Sequence, residues 1–249
     1  RFNGGLGGAG SCGHEESLVC NSTFGQDKGG PMKQGPTIKQ RYICIDGPIA
    51  VGKTTLTMRL AEYLDAQTVL EEFDDNPFLR EFYLDPKKVA FQTQIYFLLA
   101  RFKQQEKLRQ QDLFNRSMVS DYLFAKDRIF AYMNLEREEA ALYERIYDLV
   151  RPQLLEPDLV IYLHAHPETL VKRLQKRGRT YENTVEREYL EELTQGYNHF
   201  FTHYDETPLL ILDTSHVNFE TNEDDFQQLL ELIANTTEGT HRHTLRSRG

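Results

Sequence analysis

Apolar residues along the chain follow two rhythms. Short runs at Tyr42-Ile-Cys-Ile45, Thr68-Val-Leu70, Ser117-Met-Val-Ser120, Leu159-Val-Ile-Tyr-Leu163 and Leu209-Leu-Ile-Leu212 read as five strands. The fourth is the clearest, because it is apolar throughout and suits a strand buried on both faces. Between these runs the apolar positions return every three or four residues, as a helix with one buried face requires. Leu56, Leu60 and Leu64 mark the first helix. Asp85-Pro86 offers an N-cap and a proline suited to a first turn, and from there to about Gln111 the residues Phe91, Ile95, Leu98, Phe102 and Leu108 lie mostly on one stripe. Further helices are predicted over about Leu123 to Asn134, Glu136 to Leu155, Pro167 into Arg173–Arg179, Glu186 to Tyr204 and Asp224 to Ala234. Strands alternating with helices imply an α/β protein with a mostly parallel sheet covered on both faces.

The pattern stops at both ends. Residues 1–38 are rich in Gly and Ser without period and cannot bury enough surface to offset the entropy of ordering, so a flexible tail is expected, with Met32 a candidate natural start. Residues 236–249 are polar and basic, and they are expected to fray. One domain over residues 39–235 is left between them.

The first strand runs directly into Gly47, Pro48, Ile49, Ala50, Val51, Gly52, Lys53, Thr54 and Thr55. Glycines and lysine at this spacing form a P-loop, whose backbone N–H groups cradle a triphosphate such as ATP. Lys53 then reaches the β and γ phosphates and Thr54 offers its hydroxyl to Mg²⁺. The required strand precedes the turn and the required helix follows it, so the anion rests on a helix N-terminus. A P-loop NTPase fold of three layers, with a five-stranded parallel sheet, is the expectation.

Composition narrows the partners. A net charge of -9 argues against a nucleic-acid polymer, whose phosphates call for clustered Lys and Arg. No run approaches a membrane span and no apolar leader opens the chain, so no membrane partner and a cytoplasmic enzyme are expected. Of the three cysteines, Cys12 and Cys20 lie in the tail with His14 and no fourth metal ligand, while Cys44 fits a small buried apolar position in the first strand.

Phosphoryl transfer needs positioning, charge neutralisation and a group to receive the proton of the attacking hydroxyl. Glu71, just past the second strand, is the candidate base, with Glu72 its rival. Asp121 at the end of the third strand is placed to hold Mg²⁺ directly or through water, or to cap a helix. Arg173, Arg177 and Arg179 are candidates to clamp transition-state charge. His164 and His166 alternate at a strand end without further ligands nearby, which favours a structural role.

Five segments in order, GPIAVGKTT, EEFDDNPFLREFY, AFQTQIYFLLAR, SDYLFAKDRIFA and RLQKRGRTYE, resemble the deoxynucleoside kinases, most closely the bacterial deoxyadenosine/deoxyguanosine kinases. The resemblance runs from about Arg41 to Ile233. It implies ATP-dependent phosphorylation of a deoxynucleoside 5′-hydroxyl beneath an Arg-rich lid, in a homodimer, with feedback by a deoxynucleoside triphosphate. It also implies that Glu71 is the base and that Arg173, Arg177 and Arg179 are the lid arginines. Gln94 would pair with the base edge, Arg101 and Asp127 would frame the base, and Tyr83 with Glu182 would hold the sugar 3′-hydroxyl. The sequence departs from many relatives at Asp121-Tyr122-Leu123, where they carry Arg-Ser after the strand-end acid.

Three other functions stand beside this one. A nucleoside monophosphate kinase shares the loop and lid but binds an acceptor phosphate. A GTPase needs Asn-Lys-x-Asp, which is absent. A non-catalytic subunit would have no use for the intact set Lys53, Glu71 and Asp121. Gln94 can pair with adenine, guanine or cytosine by turning its amide, so the nucleobase is open beyond a lean toward purine.

Overall fold

The strand that feeds the P-loop, β1 (Tyr42–Asp46), lies inside the sheet, and all five of its residues are buried. A computed structural model describes residues 35–71, 76–111, 117–177, 187–219 and 221–245, which belong to one compact unit. The other strands are β2 (Gln67–Val69), β3 (Met118–Ser120), β4 (Leu159–His164), β5 (Leu209–Asp213) and β6 (Thr240–Thr244). Their order is β2-β3-β1-β4-β5-β6, and every neighbouring pair is parallel.

The helices are α1 (Lys53–Leu64), α2 (Leu79–Leu84), α3 (Pro86–Gln111), α4 (Asp127–Asn134), α5 (Arg137–Val150), α6 (Pro167–Arg177), α7 (Arg187–Thr202) and α8 (Glu223–Asn235). Successive strand residues point to opposite faces of a sheet, and the core divides accordingly. Ile43 and Ile45 of β1 pack with Leu56 and Leu60 of α1 and with Leu229 and Leu230 of α8. Tyr42 and Cys44 pack on the other face with Leu108 of α3, Ile129 of α4 and Tyr197 and Phe201 of α7. Here are the three layers. Truncating a fully buried strand residue such as Ile161 to alanine would cost about 2–5 kcal/mol.

Four local expectations change. The stretch from Leu123 to Asn134 is a 3₁₀ turn (Phe124–Lys126) leading into α4, and the helix expected to reach Leu155 stops at Val150. A further short helix, α2, lies before Asp85-Pro86. Residues 240–244, expected to fray, form a sixth strand paired in register with β5 from Leu209–Thr240 to Asp213–Thr244. Its sequence, Thr-His-Arg-His-Thr, lacks an apolar face because an edge strand is held by backbone bonds, and Gly239 at φ 64° turns the chain into it. Leu245, just beyond, is buried in the core and anchors the strand.

Candidate active site

Because β2, β3 and β1 are consecutive in the sheet, the residues following each at its carboxyl end stand side by side. That is the edge where open α/β sheets keep their ligands. β1 delivers the P-loop, β3 delivers Asp121 and β2 delivers Glu71. Asp121 Oδ2 accepts from Thr54 Oγ1 at 2.7 Å, and its Oδ1 accepts from the Glu71 backbone N–H at 2.7 Å. The carboxylate therefore joins loop and base strand, and the next helical turn begins only at Phe124, so it is no N-cap.

The loop itself depends on its glycines. A Cβ at Gly47 would sit 2.1 Å from the Leu163 carbonyl oxygen, and Gly52 turns with φ 108°. Lys53 Nζ donates to the carbonyls of Gly47 at 2.7 Å and Pro48 at 3.1 Å, folding over the turn. Burial, reinforced by the charge of Lys126, pushes its ammonium down to about 8 against the pull of Asp46, Glu71 and Asp121. Fully buried Asp46 anchors the loop from behind, accepting from the Gly47 N–H at 2.6 Å, the Leu123 N–H at 2.7 Å and the Tyr197 hydroxyl at 3.3 Å.

Glu71 is held on both oxygens. Oε1 accepts from Arg101 Nε at 3.0 Å and from Arg101 Nη2, and Oε2 accepts from Lys126 Nζ at 2.7 Å. Burial alone would raise its pKa, but Lys126 and Arg101 outweigh it and hold the carboxyl well below the usual range. Glu71 is an ionised acceptor.

Two cavities flank this row. The smaller, about 140 Å³, is lined by Glu71, Gln94, Phe97, Arg101, Lys126 and Tyr197, among others. The larger, about 510 Å³, lies over the P-loop and is lined by Arg173, Lys176, Thr214 and Asn218. Ala50, Lys53, Thr54 and Arg177 line both. In the smaller cavity Gln94 is 3% exposed, and its Oε1 has no hydrogen-bond partner among the described residues. A buried acceptor without a partner costs about 1–3 kcal/mol, which a ligand's N–H would offset.

The site residues expected from sequence separate into groups. Ile49 to Thr55, with Lys53 among them, Glu71, Gln94, Arg101, Asp121 and Arg177 line the two cavities, whereas Gly47 and Pro48 line neither and accept from Lys53 Nζ at the foot of the loop. Arg173 stays on the P-loop side, where Nη1 donates to the Val51 carbonyl at 2.9 Å and Nη2 to the Thr214 carbonyl at 2.8 Å. Asp127, expected to frame a base, does not line the smaller cavity; it is fully buried behind it, accepting from Arg101 Nη1 and, at 2.9 Å, from the Tyr143 hydroxyl. Tyr83 is on α2, and its side chain lies outside the described residues, as do Glu72, Arg179 and Glu182. Sequence reasoning missed Lys126, Asp46 and Phe97, whose ring lies 4.9 Å beneath the Arg101 guanidinium. A lone cation closing the apolar stretch Tyr122–Ala125 was the available signal for Lys126.

Among the described residues no group of three or more His, Cys, Asp and Glu is placed to hold a metal. The Thr54–Asp121 oxygen pair is a different kind of site. It is all oxygen, close-set and carries one carboxylate, which fits Mg²⁺, a hard ion that keeps waters and phosphate oxygens as its other ligands.

A loop shaped for a polyphosphate, with a second cavity reached across the same lysine, defines the class: a P-loop phosphotransferase working between two bound molecules. Comparison with known proteins narrows it. Residues 43–238 match the family model described as deoxynucleoside kinase, and the chain belongs to that family. It is 34% identical over 193 residues to a deoxyguanosine kinase of Bacillus subtilis (strain 168), covering 76% of this chain and 93% of the relative. It is 31% identical over 211 residues to a deoxyadenosine/deoxycytidine kinase of the same organism, covering 82% and 96%. A solved deoxyadenosine kinase from M. mycoides with bound dCTP superposes with a TM-score of 0.62 at 30% identity, covering 78% of this chain and 97% of that one. The protein is a kinase that phosphorylates deoxynucleosides. No helix among the described residues is long and apolar enough to cross a membrane.

Proposed function

We propose that the chain transfers the γ-phosphate of ATP to the 5′-hydroxyl of a purine deoxynucleoside, with Mg²⁺ held at Thr54 and Asp121. The observation that carries this is the meeting of the two cavities at Lys53, Thr54 and Arg177, with Glu71 on the far wall. The larger cavity takes the donor and the smaller the deoxynucleoside. The 5′-oxygen attacks the γ-phosphorus, and the bond from that phosphorus to the bridging oxygen breaks, leaving its electron pair on ADP. The hydroxyl proton passes to Glu71. Lys53 and Arg177 meet the charge that develops on the transferred group, with Arg173 bracing the loop and Arg179 expected beside them. Mg²⁺ supplies neutralisation of the phosphate oxygens when bound.

Gln94 faces the base, since its bare Oε1 calls for a donor that a nucleobase edge supplies. Arg101 borders the base and Asp127 fixes Arg101, while Tyr83 and Glu182 hold the 3′-hydroxyl. The names of the relatives, which act on deoxyguanosine, deoxyadenosine and deoxycytidine, support a purine preference. A homodimer follows from the resemblance, and a cytoplasmic setting suits the use of ATP.

Incubation with ATP, Mg²⁺ and each of the four deoxynucleosides tests the assignment. Expected are the 5′-monophosphates of deoxyadenosine and deoxyguanosine with the highest kcat/KM, loss of turnover on chelation and recovery with Mg²⁺. Product from monophosphates only, or turnover insensitive to chelation, would overturn it.

A further inference from the structure

The base carboxylate is filled on one side and open on the other. A carboxylate offers about four lone-pair sites, two on each oxygen. Among the described residues, Oε1 of Glu71 takes two donors, both from Arg101, and Oε2 takes one, from Lys126. The remaining site is therefore on Oε2, the oxygen that Lys126 holds. Lys126 is 3% exposed; it lines the cavity, donates to Glu71 at 2.7 Å, lies close enough to Asp46 and Lys53 to act on their charge, and has the Tyr122 ring 5.9 Å away. A buried lysine in this position is costly unless its charge is used, because desolvating an ammonium takes several kcal/mol.

We propose that Lys126 is a positioning residue for phosphoryl transfer: its ammonium fixes the one open lone pair of Glu71 toward the acceptor hydroxyl. The 3₁₀ turn Phe124–Lys126 makes this possible. It brings the lysine back over the end of β2, five residues after the strand-end carboxylate Asp121 and one residue before α4. The cation that neutralises the base thus comes from a turn set by Asp46, whose Oδ2 accepts the Leu123 N–H at 2.7 Å. Arg101 fixes the carboxylate plane through two bonds to one oxygen, and Lys126 fixes its rotation through the other. Without Lys126 the carboxylate turns about its Arg101 anchor and its free lone pair leaves the hydroxyl's line of attack. Substrate binding, which rests on Gln94, Phe97 and the P-loop, is untouched by that rotation.

The inference rests on Glu71 being the base of the proposed reaction. A cycle of the full chain with Lys126→Met, Glu71→Gln and the double variant separates the two. Expected for Lys126→Met is a fall in kcat of about 10- to 100-fold, with KM for ATP and for the deoxynucleoside moving less than about threefold. In the Glu71→Gln background the same change is expected to cost less than about threefold, since residues acting as a unit are strongly non-additive. Lys126→Arg, which keeps a cation and a donor, is expected to recover most of kcat. Should Lys126→Met fail to fold, Lys126→Gln fills similar volume with a neutral donor, and the cycle runs on that variant. Equal losses in both backgrounds, or a KM increase matching the loss in kcat, would overturn the role of Lys126 while leaving the kinase assignment intact. Wild-type protein that phosphorylates no deoxynucleoside would overturn that assignment and the inference with it.

Discussion

The two cavities are built in opposite ways. The donor side is built around six consecutive loop residues, Ala50 to Thr55, with Arg173, Lys176 and Arg177 from α6 and Thr214, Val217, Asn218 and Phe219 from the segment after β5. The acceptor side is assembled from residues far apart in the chain: Glu71 after β2, Gln94 and Arg101 on α3, Lys126 before α4 and Tyr197 on α7. A backbone cradle recognises phosphate whatever molecule carries it, whereas side chains from four elements can be exchanged one at a time. The fold thereby keeps its chemistry constant on one side and leaves its acceptor adjustable on the other.

Substitutions that act on one side alone test this division. Glu71→Gln removes the proton acceptor, and kcat is expected to fall about 10²- to 10⁴-fold in steady-state assays while both KM values hold. A near wild-type rate would remove Glu71 from the chemistry. Gln94→Ala is expected to lower kcat/KM for the deoxynucleoside roughly ten- to a hundredfold, the loss of a hydrogen-bonded base edge, with KM for ATP unchanged. If both KM values rise together, the cavities are not independent. Arg173→Ala is the mirror case: about a tenfold rise in KM for ATP, from loosening the Val51 and Thr214 carbonyls, and no change for the deoxynucleoside.

The smallest effect concerns Cys44. Burial pushes its thiol up to about 12, opposed by Ser120 and Tyr42, so almost none of it is thiolate at pH 8. Peptide mapping after iodoacetamide should find Cys44 unmodified in native protein and modified in urea. Labelling of native protein would show that the sheet beneath the acceptor cavity opens.

The same asymmetry governs what could be read from sequence. The P-loop is legible because its chemistry is contiguous, and β1, β3, β4 and β5 are legible because they are parallel strands buried on both faces, while β2 at the sheet edge is half-exposed. Lys126 was not, since a single lysine after Tyr-Leu-Phe-Ala reads as a solvated helix end until the turn at Phe124 is known to bury it. Asp127 matched the family by position, yet its carboxylate meets Arg101 and Tyr143, a pairing fixed by the packing of α3, α4 and α5. Asp121 was legible as a strand-end acid, but its joint hold on Thr54 and the Glu71 N–H depends on strand order, which one sequence does not print.

The polar border strand β6 has a consequence for handling the molecule. Its exposed Arg242 and His243, with half-buried His241, cap a ladder whose next rung inward is Leu-Leu-Ile-Leu. Cutting the chain after Asn235 would bare that greasy rung along with a row of unsatisfied amides, an invitation to intermolecular zippering. Shortened versions should therefore gel or precipitate on concentration even while their catalytic cleft stays whole.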